Sequence, residues 1–270
     1  FNLKKVNSKN LILTGGVALN SKLCGLINEL TFINKFYVPQ LPSDGNLALG
    51  AAIQAMPIKE RFSVYSKKPY FSFKYTSKEI SNAIKLTGNK IQKCDITDLV
   101  KILKKDKVLG FFNGKSEFGP RALGSRSIIA SPINKNMKDI VNKKIKFRES
   151  FRPFAPVIRD VDSLKYFELG SGNYDFMNFV VRAKPCLKKI APAIVHEDGT
   201  SRVQVLKKGV NNKLYELLKL WFNVTGCPVL LNTSFNLKGE PIVETPNDAI
   251  RTFYSSGLDY LFLENFIIQK

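Results

Sequence analysis

Two arginines, Arg121 and Arg126, stand among glycine, alanine and serine in the stretch Ser116 to Ala130. Gly119-Pro120 sets one tight bend there and Gly124 allows a second. A bent backbone of small residues presents N–H groups beside guanidinium forks, which suits a phosphate or carboxylate oxyanion. The plainer alternative is a solvated loop, because short motifs recur by chance. A second cationic cluster runs from Lys143 to Arg152, contains Lys146 and Arg148, and closes on Pro153-Phe154-Ala155-Pro156. Prolines and aromatics among the charges indicate a shaped site rather than a loose basic tail. Arg202 follows a turn, and Asn232 and Ser234 follow an apolar run. No Ser/His/Asp or Cys/His nucleophile set is apparent. A site rich in fixed cations and poor in nucleophiles works by positioning and charge stabilisation. Adenylyl or phosphoryl transfer between small anions makes those demands.

The elements that must hold these residues are legible as short alternating segments. Lys107 to Phe112 reads as a buried strand leading through Asn113-Gly114 into the arginine loop. Asn134 to Phe147 reads as a helix with Met137, Ile140, Val141 and Ile145 on one face and Lys143 and Lys146 on the charged one. Ala191 to Val195 is expected as a strand, His196 to Thr200 as a turn, and Arg202 to Val205 as the returning strand. His196, the only histidine, reads first as a hydrogen-bonded structural residue at a strand end, with a catalytic base as the alternative. Lys213 to Phe222 is a helix with Leu214, Leu217, Leu218 and Trp221 inward. Cys227 to Leu231 is a buried strand that delivers Asn232 and Ser234 to one side at its C-terminal end, where ligands of open α/β sheets collect. Asn and Ser also favour turns for local reasons. Thr76 and Glu79 form a capping box opening a helix through Leu86. Thr97 opens another, and Thr245 caps a helix to Ser256 ahead of a closing strand, Leu258 to Leu263.

Upstream, Leu11 to Leu13 is a short strand ending at Thr14-Gly15-Gly16, with a helix after it. Strand, glycine turn and helix together can cradle a phosphate, although many such turns only connect. Asp44 precedes a helix, Leu47 to Met56, and spacing alone makes it a helix cap. Residues 57 to 72 break periodicity and read as a crossover.

Composition narrows the classes. The 270 residues, 44% of them hydrophobic, allow one large or two modest domains. No apolar run reaches the length of a membrane span, so no membrane partner is expected. The start, Phe1-Asn2-Leu3, has neither Met nor signal-peptide shape and reads as the middle of a longer protein. Cys24, Cys94, Cys186 and Cys227 lack metal or disulfide spacing, and free thiols point to a reducing, cytoplasmic setting. The formal net charge is +20. It reads either as a nucleic-acid surface or as a solvated lysine-rich surface with some cations kept for phosphates. No helix-turn-helix, RNA-stacking motif or zinc finger supports the first, so nucleic acid is not the expected partner.

Glu117-Phe-Gly-Pro-Arg-Ala-Leu-Gly124 with Arg126-Ser127, then Lys146 to Pro156, Ala191 to Gln204 and Leu231 to Val243, in this order, resemble the carbamoyltransferase family of the nodulation, tobramycin and cephamycin type. The likeness covers nearly the whole chain. It implies an α/β (α+β) fold: a YrdC-like twisted mixed sheet with flanking helices, preceded by the last part of an actin-like ATPase (Kae1-like) lobe. Residues 1–60 would be the end of the Kae1-like carbamoyl-transfer domain, 61–72 the crossover, 73–242 the YrdC-like domain and 243–270 a closing helix and strand.

The resemblance also implies an O-carbamoyltransferase. Carbamoyl phosphate and ATP would give carbamoyladenylate in the YrdC-like domain, and the Kae1-like domain would pass the carbamoyl group to a hydroxyl of a small molecule or sugar. Arg121, Lys146, Arg152 and Arg202 match the catalytic positions. Gly15, Gly16, Asn20, Arg126, Arg148, Asn232 and Ser234 match substrate and nucleotide positions. Asp44 matches one ligand of Fe2+ or a similar divalent metal, whose histidine partners this sequence lacks, and Asn46 departs from a usual glycine. Mg2+ and a homodimer are left open. The alternative is an RNA-binding YrdC-like protein of the tRNA threonylcarbamoylation type.

Overall fold

A computed structural model describes residues 8–61 and 69–270. The chain opens with β1 (Asn10–Ile12), a 3-10 turn over Gly16–Leu19 and α1 (Ser21–Asn28), and returns along β2 (Lys35–Tyr37), parallel to β1. The Asn20 side chain caps α1, accepting from the backbone N–H of Lys22 at 3.2 Å and Leu23 at 3.1 Å. That use satisfies helix-end donors that would otherwise lack partners. A second 3-10 turn over Asp44–Asn46 leads into α2 (Leu47–Ala55), with α3 (Ile58–Arg61) after it. The middle of the expected crossover, residues 62–68, lies outside the described residues.

The main body follows. α4 (Ser77–Lys85) carries the expected Thr76/Glu79 capping box. After β3 (Gln92–Lys93), α5 (Ile96–Lys104) is capped by Asp95 with Asp98 in reciprocal contact, so the helix starts before Thr97. Asp95 wins because its carboxylate accepts the Asp98 N–H at 3.0 Å. β4 (Leu109–Phe112) is wholly buried, as its apolar run requires. β5 (Arg126–Ala130) pairs antiparallel with it. The expected loop of 116–130 is therefore shorter, and Arg126 is a strand residue opposite Phe112.

α6 (Met137–Val141) passes into a π-helical turn over Asn142–Lys146 and stops at Phe147, whose φ is 46°. Then come β6 (Ala155–Arg159), α7 (Asp160–Tyr166), β7 (Val180–Arg182) and α8 (Pro185–Ile190). The expected strand over 191–195 is instead a 3-10 turn, Pro192–Ile194. β8 (Thr200–Arg202) consequently pairs with β7, and β9 (Gln204–Leu206) joins the main sheet beside β6. α9 (Asn212–Thr225) packs on α5 and β6 with Trp221 fully buried. β10 (Val229–Ser234), α10 (Pro246–Tyr254) with its Thr245/Asp248 capping box, β11 (Tyr260–Leu263) and β12 (Phe266–Gln269) complete the chain.

The eight-stranded sheet runs β3-β12-β11-β4-β5-β10-β6-β9. It is mixed: β11 with β4 and β6 with β9 are parallel, and the other neighbours are antiparallel. Residues 243–270 supply two of its inner strands. The N-terminal segment rests on the 168–182 region. Phe36 bridges Gly172 and stacks edge-on against Phe179 at 5.3 Å, and Asn28 donates to the Tyr174 hydroxyl at 2.8 Å. α1 approaches β7 so closely that a Cβ at Gly25 would lie 2.2 Å from the Val180 carbonyl oxygen.

Candidate active site

The loop between β4 and β5 is shaped by one carboxylate. Glu117 is buried, and its Oε1 accepts the N–H of Leu123 and of Ser125, both at 2.7 Å. The Arg126 N–H completes the set. Gly124 takes φ 103° with a Cβ position 2.2 Å from Leu214 Cδ2, so only glycine fits that bend. The amides of Leu123, Ser125 and Arg126 are thus consumed inside the protein, and Arg121 is the charged side chain of the loop that lines the cleft. Its Nη2 donates to the Leu19 carbonyl at 3.2 Å, while its buried Nε has no partner among the described residues.

Arg121 lines a cleft of about 310 Å³ together with Arg148, Arg152, Arg202, His196, Asn232 and Ser234. Ser21, Phe154, Met177 and Thr233 complete much of the wall, and no Asp or Glu lines it. The arginines arrive from three parts of the chain: Arg121 from the loop between β4 and β5, Arg148 and Arg152 from the segment between the π-helical turn and β6, and Arg202 from the end of β8. Arg148 is oriented by Asn142 of the π-helical turn, whose Oδ1 accepts from its Nε at 2.7 Å, and it lies over Phe154 at 4.8 Å. The same Asn142 holds the Arg152 carbonyl at 3.0 Å. Arg152 is half-exposed and shares its charge with Glu149 at 2.9 Å. Asn232 and Ser234 come from the end of β10, as the alternation along that strand requires.

The four guanidinium groups repel one another, and among the described residues only Arg152 has a carboxylate, that of Glu149, beside it. Burial, then Arg121 and Arg148, push the Arg202 pKa down to about 9. Burial also lowers Arg121, and burial followed by Arg152 lowers Arg148. An entering anion relieves both the desolvation and the mutual repulsion, so the charged state becomes favourable when the cleft is filled.

Other expected site residues lie elsewhere. Arg126 is fully buried with its guanidinium 3.5 Å above the Phe112 ring. It donates to the carbonyls of Gly114 at 3.1 Å, Asn113 at 3.3 Å and Glu244 at 3.3 Å. It ties β5 to the loops at either end and does not line the cleft. Lys146 is buried too. Its Nζ lies among the Ser234 carbonyl, Ser234 Oγ at 3.1 Å, the Asn236 carbonyl at 3.1 Å and Asn236 Oδ1 at 2.8 Å. Lys146 therefore reaches the cleft through Ser234. Burial, then Arg148, lower its pKa to about 7.

Gly15, Gly16 and Asn20 do not line the cleft either, although Ser21 next to them does. Asp44 heads its 3-10 turn. Among the described residues, no group of three or more His, Cys, Asp or Glu side chains is placed to hold a metal. His196, read first as structural, lines the cleft, and so do Ser21, Thr233 and Met177. Only His196 carried a sequence signal, its place beside Asp198 and Thr200 in one turn.

The family description "Carbamoyltransferase C-terminus" matches residues 100–270, and the chain belongs to the carbamoyltransferase family. It is 36% identical to nodulation protein NolNO of Sinorhizobium fredii over 97% of this chain and 40% of that protein. To nodulation protein NolO of Bradyrhizobium diazoefficiens it is 36% identical over 99% of this chain and 50% of that protein. To nodulation protein U of Rhizobium tropici it is 36% identical over 86% of this chain and 39% of that protein. The chain thus spans half or less of the length of these relatives. Among solved structures, full-length HypF in the phosphate- and nucleotide-bound form aligns with 64% of this chain and 22% of its own, at TM-score 0.46 and 17% identity. Among the described residues no helix is long and apolar enough to cross a membrane.

Proposed function

We propose that this chain carries the carbamoyl-activating part of an O-carbamoyltransferase, using carbamoyl phosphate and ATP to form carbamoyladenylate in the arginine cleft. The observation that carries the reading is the convergence of Arg121, Arg148, Arg152 and Arg202 on one cavity with no carboxylate in its wall. Water would split carbamoyl phosphate into carbamate and inorganic phosphate. A carbamate oxygen would then attack the α-phosphorus of ATP, the bond from that phosphorus to the bridging oxygen of the β-phosphate would break, and pyrophosphate would leave. Both reactants are anions, and charge moves onto phosphate oxygens as the bonds change. Fixed guanidinium forks serve that purpose because they need no reorganisation at the moment of reaction. Ser234, held by Lys146, and Asn232 supply neutral contacts at the strand end. Mg2+ would share the phosphate charge, but the cleft wall offers no carboxylate to hold it.

Transfer to a hydroxyl acceptor is proposed for the longer protein. Residues 8–61 supply Asp44 and the Gly15-Gly16 turn to that half-reaction, without a metal-holding set. The test is carbamoyl phosphate-dependent exchange of labelled pyrophosphate into ATP by the folded chain, without RNA. Exchange, together with no carbamoylation of an acceptor by this chain alone, is the expected result. A folded chain that binds neither ATP nor carbamoyl phosphate would overturn the reading.

A further inference from the structure

The arginine cleft is dominated by hydrogen-bond donors, yet two of its residues keep buried acceptors that no described residue meets: Nε2 of His196 and Oδ1 of Asn232. Buried polar atoms without partners are rare, and each calls for a physical explanation.

The bonding network fixes what each atom is. Asn232 Nδ2 donates to the Ala122 carbonyl at 3.1 Å and to Gln204 Oε1 at 2.8 Å. Gln204 in turn donates through Nε2 to the Leu123 carbonyl at 2.9 Å, so its Oε1 is the accepting end. The Asn232 amide therefore cannot be reversed, and its oxygen is the unmet atom. His196 is fixed in the same way. Asp198 Oδ1 accepts the Thr200 hydroxyl at 2.6 Å, which uses the one proton that hydroxyl has. Thr200 Oγ1 then accepts from His196 Nδ1 at 2.9 Å, so Nδ1 carries the ring proton. Burial is the main force keeping this ring neutral. Arg202, Lys138 and Lys22 add to it, and Asp198 acts against it. Nε2 of the neutral ring is a bare acceptor.

An anion alone has no use for two acceptors. A primary amide attached to an anion has two N–H groups to give. We propose that His196 Nε2 and Asn232 Oδ1 receive the –NH2 of an anionic carbamoyl ligand, making His196 the residue that distinguishes that group from a methyl of the same size. Thr200 and Asp198 are positioning residues that set the tautomer. This inference rests on the arginine cleft being the carbamoyl site. The ring also borders a second depression lined by Lys138, Phe151 and Glu197, and the test reads only ligands that compete with phosphate.

The experiment compares carbamoyl phosphate with acetyl phosphate, in which CH3 replaces NH2, as competitors of inorganic phosphate for the folded chain. A buried acceptor left without its donor costs enough to give roughly a 10- to 100-fold preference for carbamoyl phosphate. With the share that Asn232 Oδ1 supplies left in place, His196→Ala should cut that ratio several-fold. His196→Gln, whose amide oxygen can reach a similar point, should restore part of it. Thr200→Val, which frees the tautomer without touching the cleft wall, should lower the ratio several-fold and covers the case in which His196→Ala fails to fold. A preference that stays undiminished in both His196→Ala and Thr200→Val overturns the role of His196 and leaves the cleft reading standing. Equal wild-type affinity for the two acyl phosphates overturns it likewise. Wild-type chain that binds no phosphate at all overturns the cleft reading and this inference with it.

Discussion

Glu117 takes the backbone N–H of Arg126 on both carboxylate oxygens, at 3.1 and 3.0 Å. The same carboxylate holds two further amides of the loop, so it occupies, from within, the place the loop would otherwise offer to a ligand oxyanion. Arg121 is what the loop then presents to the cleft. Glu117→Gln puts an N–H donor against at least one of these N–H groups. The expected loss is about 2 kcal/mol, read as a lower urea midpoint, and an unchanged midpoint would show that the loop is held by other contacts.

Arg121 and Arg152 differ in a way that kinetics should resolve. Arg121 is held at Leu19 and partly buried, whereas Arg152 is half-exposed and paired with Glu149. Lysine keeps the charge but loses the fork. Arg121→Lys should lower kcat/KM for carbamoyl phosphate in the exchange assay by about 100-fold. Arg152→Lys should stay within about tenfold. Similar small effects at both positions would count against a phosphate clamp at Arg121.

Arg126 belongs to the scaffold by its contacts. Arg126→Met leaves several buried carbonyls without donors, and the cost should be about 3 kcal/mol or more. The folded fraction should keep its phosphate affinity within a few-fold. A folded variant that loses phosphate binding would return Arg126 to the ligand.

Lys146 gives stability a pH dependence of known sign. Its pKa is about 7 in the folded chain, against 10.5 for an ordinary lysine. Between about pH 7 and 10.5 the unfolded chain binds more protons at this site, so the stability difference attributable to Lys146 rises with pH through that window. Urea midpoints of wild type and Lys146→Met, compared at pH 7 and pH 9, should shift in favour of wild type at the higher pH. Parallel midpoints would mean that Lys146 stays charged throughout, held by its four oxygens.

What the sequence revealed follows the range of the interactions involved. Thr76 with Glu79 and Thr245 with Asp248 are local pairs, and the helices they cap stand where they were expected. The end of β10 was legible for the same reason, since alternation along one strand puts Asn232 and Ser234 on one side. Ala191 to Val195 was misread because an apolar run does not reveal its partner. Pro192 starts a 3-10 turn, and β8 pairs with a strand some distance upstream. Arg126 looked like an exposed fork because its cover, Phe112 and the Glu244 carbonyl, comes from other parts of the chain. His196 is hydrogen-bonded to Thr200, as the structural reading expected, and its place in the cleft wall was not legible because the rest of that wall comes from distant parts of the chain.

The sheet order bears on how the protein is made. β11 lies between β4 and β12, and Val108 donates its N–H to Asp259, 151 residues further on. A ribosome adding 5–20 residues per second takes roughly 8–30 s to supply that partner. Through that interval one edge of the buried, apolar β4 has no strand beside it and can pair with a neighbouring nascent chain. Slow translation between β4 and β11 should therefore lower the soluble yield more than slow translation anywhere upstream of Val108.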